Sequence, residues 1–192
     1  MKSIVCCFFL IVGSVISCRT EKHSNLDVDS FVGVDLEGNS KILKEMNSPR
    51  LAINVYSPTC VPCFKEIPTL NYLRKEMVRT GLGEFFMVVD PYSITDQLEE
   101  VPFESIYEEA KKIMKEEVTK RGIELPILIM KPPFKVTPGK GLITGTPETL
   151  LFKTKPLILY YNFIGSISEN ENSEEIQNDL KVKFFKRVLG GI

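Results

Sequence analysis

The sequence predicts an α/β domain built on a central mixed β-sheet flanked by helices, and three observations lead there. Apolar runs of strand length alternate with helical periodicity through the middle of the chain, which implies parallel strands joined by helices. Pairs of short β-forming runs, each closed by a turn, stand at either side of that middle and add antiparallel hairpins. The composition is that of an ordinary globular chain, with 192 residues, 43% of them hydrophobic and 26% charged, about the size of one domain with appendages. Neither an internal repeat nor a second domain is visible. A formal net charge of −1 removes the electrostatic footprint of a nucleic-acid binder.

The first element is an N-terminal hairpin. Phe31 to Leu36 reads as a strand, turns at Glu37-Gly38-Asn39 and returns through Ser40 to Leu43. Leu51 to Tyr56 is a short apolar run rich in β-formers, bounded by Pro49 and Ser57-Pro58, and is expected to be a buried central strand. A helix is predicted from about Cys60 to Arg79, with Phe64, Ile67, Leu70, Leu73 and Met77 at helical spacing. Pro68 should kink it, and Gly81 and Gly83 should stop it. Glu84 to Val89 is a second buried strand, ending at Asp90-Pro91.

Phe103 to Arg121 reads as a charged helix with Phe103, Ile106, Ala110 and Ile113 on its inward face. Its five acids and five bases cancel. Glu108/Lys112, Glu116/Lys120 and Glu117/Arg121 stand at the spacing of surface ion pairs, so the run is expected to be a solvated face rather than a binding patch. Leu125 to Met130 is a third strand, and Lys131 to Gly145 a loop rich in Pro, Gly and Lys. Thr149–Phe152 and Leu157–Phe163 pair as a hairpin across Lys153-Thr154-Lys155-Pro156. A last helix is expected over Ser173 to Leu189, with Ile176, Leu180, Phe184 and Val188 turned inward.

The N-terminus carries an export signal. Met1-Lys2-Ser3 is followed by an uncharged apolar stretch, Ile4 to Ile16, shorter than the ~20 residues of a spanning helix and of the form of a signal-peptide core. It ends Val15-Ile16-Ser17-Cys18, which resembles the lipobox of bacterial lipoproteins, and Arg19-Thr20-Glu21-Lys22 follow. The resemblance implies cleavage before Cys18 and lipidation of that residue, and several acyl chains on one residue anchor stably. The plainer alternatives are an ordinary cleaved signal with an incidental cysteine, or an uncleaved anchor. The organisation this implies is residues 1–17 as signal peptide, 18–27 as lipid-anchored tether and 28–192 as the folded domain.

The chain has five cysteines, a single histidine (His23) and no tryptophan. One histidine rules out most zinc hydrolase sites and a Ser-His-Asp triad. Cys6 and Cys7 leave with the signal and Cys18 is modified, so Cys60 and Cys63 remain. An exported chain whose free cysteines form one C-x-x-C is not a disulfide scaffold, and redox chemistry is the better reading. The pair follows a buried strand and opens a helix, where unpaired N–H groups and the macrodipole stabilise a thiolate. Cys60, at the tip, is the expected nucleophile; Cys63, three residues on, would resolve the mixed disulfide.

Half of a zinc site is the competing reading, but zinc needs two further ligands and only His23 is on offer; copper held with a distant histidine fails likewise. A permanent, inert disulfide is the other alternative. No metal and no cofactor beyond the Cys60–Cys63 pair are therefore expected. Glu66 shares a helix side with Cys63. Partly buried, it would have a raised pKa and pass a proton to or from that thiol; otherwise it is a surface glutamate. Asn54 is expected to make structural hydrogen bonds. Pro62 lacks an N–H that would help a Cys60 thiolate, and no histidine lies between the cysteines, which together favour a reductant over a DsbA-like strong oxidant.

The run Asn54-Val55-Tyr56-Ser57-Pro58-Thr59-Cys60-Val61-Pro62-Cys63-Phe64-Lys65-Glu66-Ile67-Pro68 resembles the active-site segment of the TlpA/ResA-like thioredoxin proteins, exported and membrane-tethered thiol–disulfide oxidoreductases. Asp35-Leu36-Glu37-Gly38 is similar to that family's N-terminal hairpin. Ile123 to Leu128 is similar to its third strand, and Gly145 to Phe152 to the segment bearing its cis-proline. The resemblance spans roughly residues 28–168. It implies a thioredoxin-like fold, and a cis Thr146-Pro147 bond set against the disulfide, where backbone groups accept a substrate segment as an added strand; Thr146, Pro147 and Pro62 would line that site. Two departures stand out: Thr59 and Tyr56 occupy positions where the family carries tryptophan, and the Lys131–Gly145 loop is Pro-rich.

The function this implies is a lipid-anchored oxidoreductase of the bacterial cell envelope, periplasm-facing or surface-exposed, that reduces disulfides of exported proteins. Apocytochrome c cysteines are one substrate class of the family, and a membrane-embedded thiol electron donor would recharge the site. A non-catalytic thioredoxin-fold interaction lipoprotein is the alternative. A thiol peroxidase is disfavoured, because the P-x-x-x-T/S-x-x-C spacing is absent.

Overall fold

The computed structural model describes residues 28–190. The expected signal peptide, the expected lipidation site Cys18 and the expected tether with His23 lie outside the described residues.

Seven strands form one sheet in the order β2-β1-β5-β4-β3-β6-β7. The N-terminal hairpin is β1 (Val32–Val34) with β2 (Ser40–Ile42), antiparallel. Asp35 fastens its turn, its Oδ1 accepting from the Glu37 and Asn39 backbone N–H groups. The centre is β3 (Arg50–Val55), β4 (Gly83–Val89) and β5 (Ile127–Met130), mutually parallel. An antiparallel hairpin, β6 (Glu148–Thr154) and β7 (Leu157–Ile164), is added beside β3. The mixed α/β sheet predicted from sequence is thus present, with β1 joining it antiparallel to β5.

Helices α1 (Val61–Lys65) and α2 (Ile67–Arg79) follow β3; α3 (Pro91–Thr95) and α4 (Phe103–Arg121) follow β4; α5 (Ser173–Asn178) and α6 (Leu180–Leu189) close the described chain. Side chains alternate across β3, as two-residue periodicity requires. Leu51, Ile53 and Val55 enter one core, whereas Ala52 and Tyr56 enter the other with α2, α4 and α6. Among the described residues no α-helix contributes to the first core. It is closed by Phe31, Leu43 and Met46 from the N-terminal segment and by Phe134 and Ile143 from the 131–145 loop.

Several sequence expectations are corrected. The helix over 60–79 is divided at Glu66, which ends α1, keeps helical backbone angles (φ −78°, ψ −17°) and precedes α2; Pro68 lies in the first turn of α2, where it has no N–H to return to Phe64. Gly83 does not stop a helix; it opens β4, where a Cβ would collide with the Arg50 carbonyl oxygen. The short α3 is an addition, capped by Asp90, whose Oδ1 accepts from Tyr92 N at 3.1 Å. On α4, Ile113 is only half-buried, while Met114 and Glu117 are buried. Glu108 pairs with Lys111 instead of Lys112.

The C-terminal helix is also divided. Asp179 takes an extended backbone (φ −61°, ψ 134°) and caps α6, accepting from the N–H groups of Lys181 and Val182. Val182, Phe185 and Leu189 therefore face inward, and Leu180 is 82% exposed. β5 begins at Ile127, two residues later than expected, although Leu125 is buried.

Candidate active site

β3 ends beneath the cysteines. Tyr56 still hydrogen-bonds to Val88 of β4 (2.9 Å), and Ser57-Pro58-Thr59 then turns the chain so that Cys60 N donates to Ser57 O at 3.1 Å. Cys60 is the N-cap of α1, with its Sγ accepting from Cys63 N at 3.2 Å. The two sulfurs are joined at 2.05 Å. Cys60 is half-buried, whereas Cys63 is 1% exposed. An approaching sulfur can reach only the first of them readily.

Pro62 sits in the first turn of α1, and its carbonyl accepts from Glu66 N at 3.2 Å. Glu66, at the break between α1 and α2, is fully buried. Its Oε1 accepts from Ile167 N at 2.6 Å and its Oε2 from Asn54 Nδ2 at 3.3 Å. Burial pushes its pKa up to about 8; the two hydrogen bonds act in the opposite direction and lose. Asn54 reaches it because it shares the helix-facing side of β3 with Ala52 and Tyr56, and the same amide also donates to Thr149 Oγ1 on β6 at 2.9 Å. Asn54 thus has the hydrogen-bonding role expected of it.

Thr146-Pro147 is a cis peptide, as are Pro132-Pro133 and Lys155-Pro156. Pro147 is buried and Thr146 half-buried. Glu148, the next residue, pairs with Val55 at the end of β3, so Thr146-Pro147 and the Cys60 turn lie at the same end of adjacent strands. Three consecutive residues after β7 bind this end together. Gly165 N donates to Pro147 O at 2.9 Å, Ser166 Oγ to Pro62 O at 3.5 Å, and Ile167 N to Glu66. Sequence reasoning missed this stretch, since two of its donors are backbone N–H groups with no side-chain signature and the third is a single serine hydroxyl. Val61 is exposed beside the cysteines, and Lys65 pairs with Glu169 at 3.5 Å.

Among the described residues no group of three or more His, Cys, Asp or Glu is placed to hold a metal ion. The chemistry available is that of the two sulfurs and the buried carboxyl.

No family model matches the sequence, and no curated protein matches it. Solved structures do. The chain is similar to a thiol:disulfide interchange protein from Bacteroides sp., at 16% identity over 84% of this chain and 86% of that one, with a TM-score of 0.52. It is similar to a thioredoxin-family thiol:disulfide interchange protein from Chlorobium tepidum TLS, at 18% identity over 79% of this chain and 94% of that one, with a TM-score of 0.51. A third is the exposed lipoprotein thioredoxin of Streptococcus pneumoniae strain TIGR4, at 14% identity over 77% and 97%, with a TM-score of 0.50. The fold is thioredoxin-like. It is the fold that these thiol:disulfide interchange proteins share.

Proposed function

We propose that the protein is a lipid-anchored thiol–disulfide oxidoreductase that reduces disulfides of exported proteins. The observation that carries the reading is the asymmetric pair at a helix N-terminus: Cys60 reachable and bonded to a backbone N–H, Cys63 covered. The Cys60 thiolate attacks one sulfur of a partner disulfide, forming a mixed disulfide and expelling the partner's other sulfur as thiolate. Cys63 then loses its proton and attacks Cys60 Sγ, which releases the second partner thiolate and closes Cys60–Cys63. Two electrons pass to the partner. A membrane-embedded dithiol donor returns them by the same exchange in reverse.

Glu66 is the proton carrier for Cys63. Neutral at pH 7 in the oxidised protein, it can hand a proton to the Cys63 thiolate as the disulfide opens. Thr146 and Pro147, with Pro62, form the surface on which a substrate segment is laid. Cys18 carries the lipid, and the resemblance to an exposed lipoprotein thioredoxin agrees with a place in the cell envelope.

The test is a redox titration in buffers of known thiol–disulfide poise, read by alkylation and the mass of the peptide bearing Cys60 and Cys63. A reversible two-electron transition at or below about −220 mV is expected of a reductant, and one near about −120 mV would make it an oxidant. Without a reversible transition the catalytic reading is wrong. Cys63→Ser should accumulate the mixed disulfide, and Cys18→Ser should release the protein from the membrane fraction.

A further inference from the structure

The last turn of α4 holds the chain on both sides of the cysteines. Tyr56, four residues before Cys60, is 1% exposed and donates its hydroxyl to Glu117 Oε2 at 2.5 Å. Glu117 is itself only 7% exposed, and a buried carboxylate needs partners of opposite charge. It has two, Arg121 Nε at 3.5 Å and Lys120 Nζ at 3.7 Å. The Arg121 guanidinium also lies over Phe64, 4.0 Å from the ring centre, at cation–π distance. Phe64 follows Cys63 directly in α1. Asn71 secures the same end of α4 to α2, donating to Gly122 O at 2.8 Å and accepting from Glu124 N at 2.9 Å.

We propose that Tyr56, Glu117, Arg121 and Phe64 are positioning residues that clamp the Cys60–Cys63 turn to α4 and so set the reactivity of the Cys60 sulfur. The inference rests on the redox reading above and deepens it. None of the four acts on substrate; they act through α1. The Cys63 N–H that meets Cys60 Sγ is aimed by the orientation of α1, and α1 is gripped at Phe64 on one side and through Tyr56 on the other. Releasing the grip lets that N–H drift from the sulfur, so the thiolate is less favoured. The reduced state then loses stability relative to the disulfide.

The test uses the intact protein with Glu117→Gln, Arg121→Met, Arg121→Lys and Phe64→Leu. Two redox readouts are taken, the pH profile of Cys60 alkylation in the reduced form and the exchange equilibrium with glutathione. Unfolding by denaturant is followed in parallel. Expected for each variant is a profile displaced to higher pH, and an exchange constant moved about tenfold toward the oxidised protein, which is about 30 mV for a two-electron couple. Arg121→Lys should behave like Arg121→Met, because an ammonium does not reproduce a flat guanidinium on a ring. Phe64→Leu combined with Arg121→Met should change no more than either alone, as members of one contact do. Glu66 and the Lys65–Glu169 pair are unaltered in every variant.

Variants that unfold more readily yet keep the wild-type profile and exchange constant would overturn the proposal and leave a purely structural cluster. A wild type that does not exchange with glutathione overturns the redox reading instead. The alkylation profile then still decides, a displacement supporting the clamp and an unchanged profile overturning it.

Discussion

At Glu66 two effects of opposite sign meet. Hydrogen bonds from Ile167 N and Asn54 favour the carboxylate, whereas burial disfavours it and is the larger. The folded-state pKa of about 8 lies above the ordinary value of 4.5, so between these pH values the folded protein holds a proton that the unfolded chain has lost. Stability from this group is therefore complete below about pH 4.5 and is lost as pH rises toward about 8, with a slope of at most about 1.4 kcal/mol per pH unit for one proton. Urea unfolding of the oxidised protein across that range should show the decline, and Glu66→Gln should remove this group's share of it. The Cys60–Cys63 pair and its place at the start of a helix were legible in the sequence, because C-x-x-C and its flanking strand and helix are local. The depth of Glu66 was not, since Ile167 lies 101 residues away in the chain. The Tyr56–Glu117 bond was hidden for the same reason, and Glu117 read as a surface residue within a charged run.

Local patterns identified the elements well where nothing interrupts them. The bounds of α4, Phe103 and Arg121, follow from its apolar stripe and Gly122 behind it, which takes φ +64° as the C-cap. The C-terminal helix shows the opposite case. Continuing one helical period from Ile176 leads to Leu180, Phe184 and Val188, but the extended Asp179 restarts the count and turns a different face inward. The signal was present, since aspartate before a helical run is an N-cap residue. Substitutions separate the two phases. Phe185→Ala should cost about 3–5 kcal/mol, and Leu180→Ser should lie within about 0.5 kcal/mol of wild type. Asp179→Ala should cost about 1 kcal/mol through the lost cap. Denaturant midpoints of the three variants check this. The division at Glu66 had its own signal in Pro68, which removes one hydrogen bond from the helical run.

Across the whole molecule the sheet has unequal faces. Helices cover one, and the redox site is built at the end of that layer. Irregular chain covers the other, with Phe134 packed edge-on to Phe31 at 5.3 Å between ring centres. The 131–145 segment has no periodicity that would mark it as core, so the sequence shows only a loop there. Phe134→Ala should destabilise the fold by about 3–5 kcal/mol while leaving the Cys60 alkylation profile unchanged, because the sheet separates the two layers. The stretch Gly165–Ile167 spans the site end from β7 to the cysteine helix, and it has a use beyond holding the parts together. An amide proton 2.6 Å from N to carboxyl oxygen, as at Ile167, feels the charge on that oxygen directly. In a nitrogen–proton correlation spectrum its peak would move as Glu66 ionises, so one resonance followed across pH, in oxidised and then reduced protein, would serve as a built-in gauge of where the proton resides while the sulfurs are left untouched.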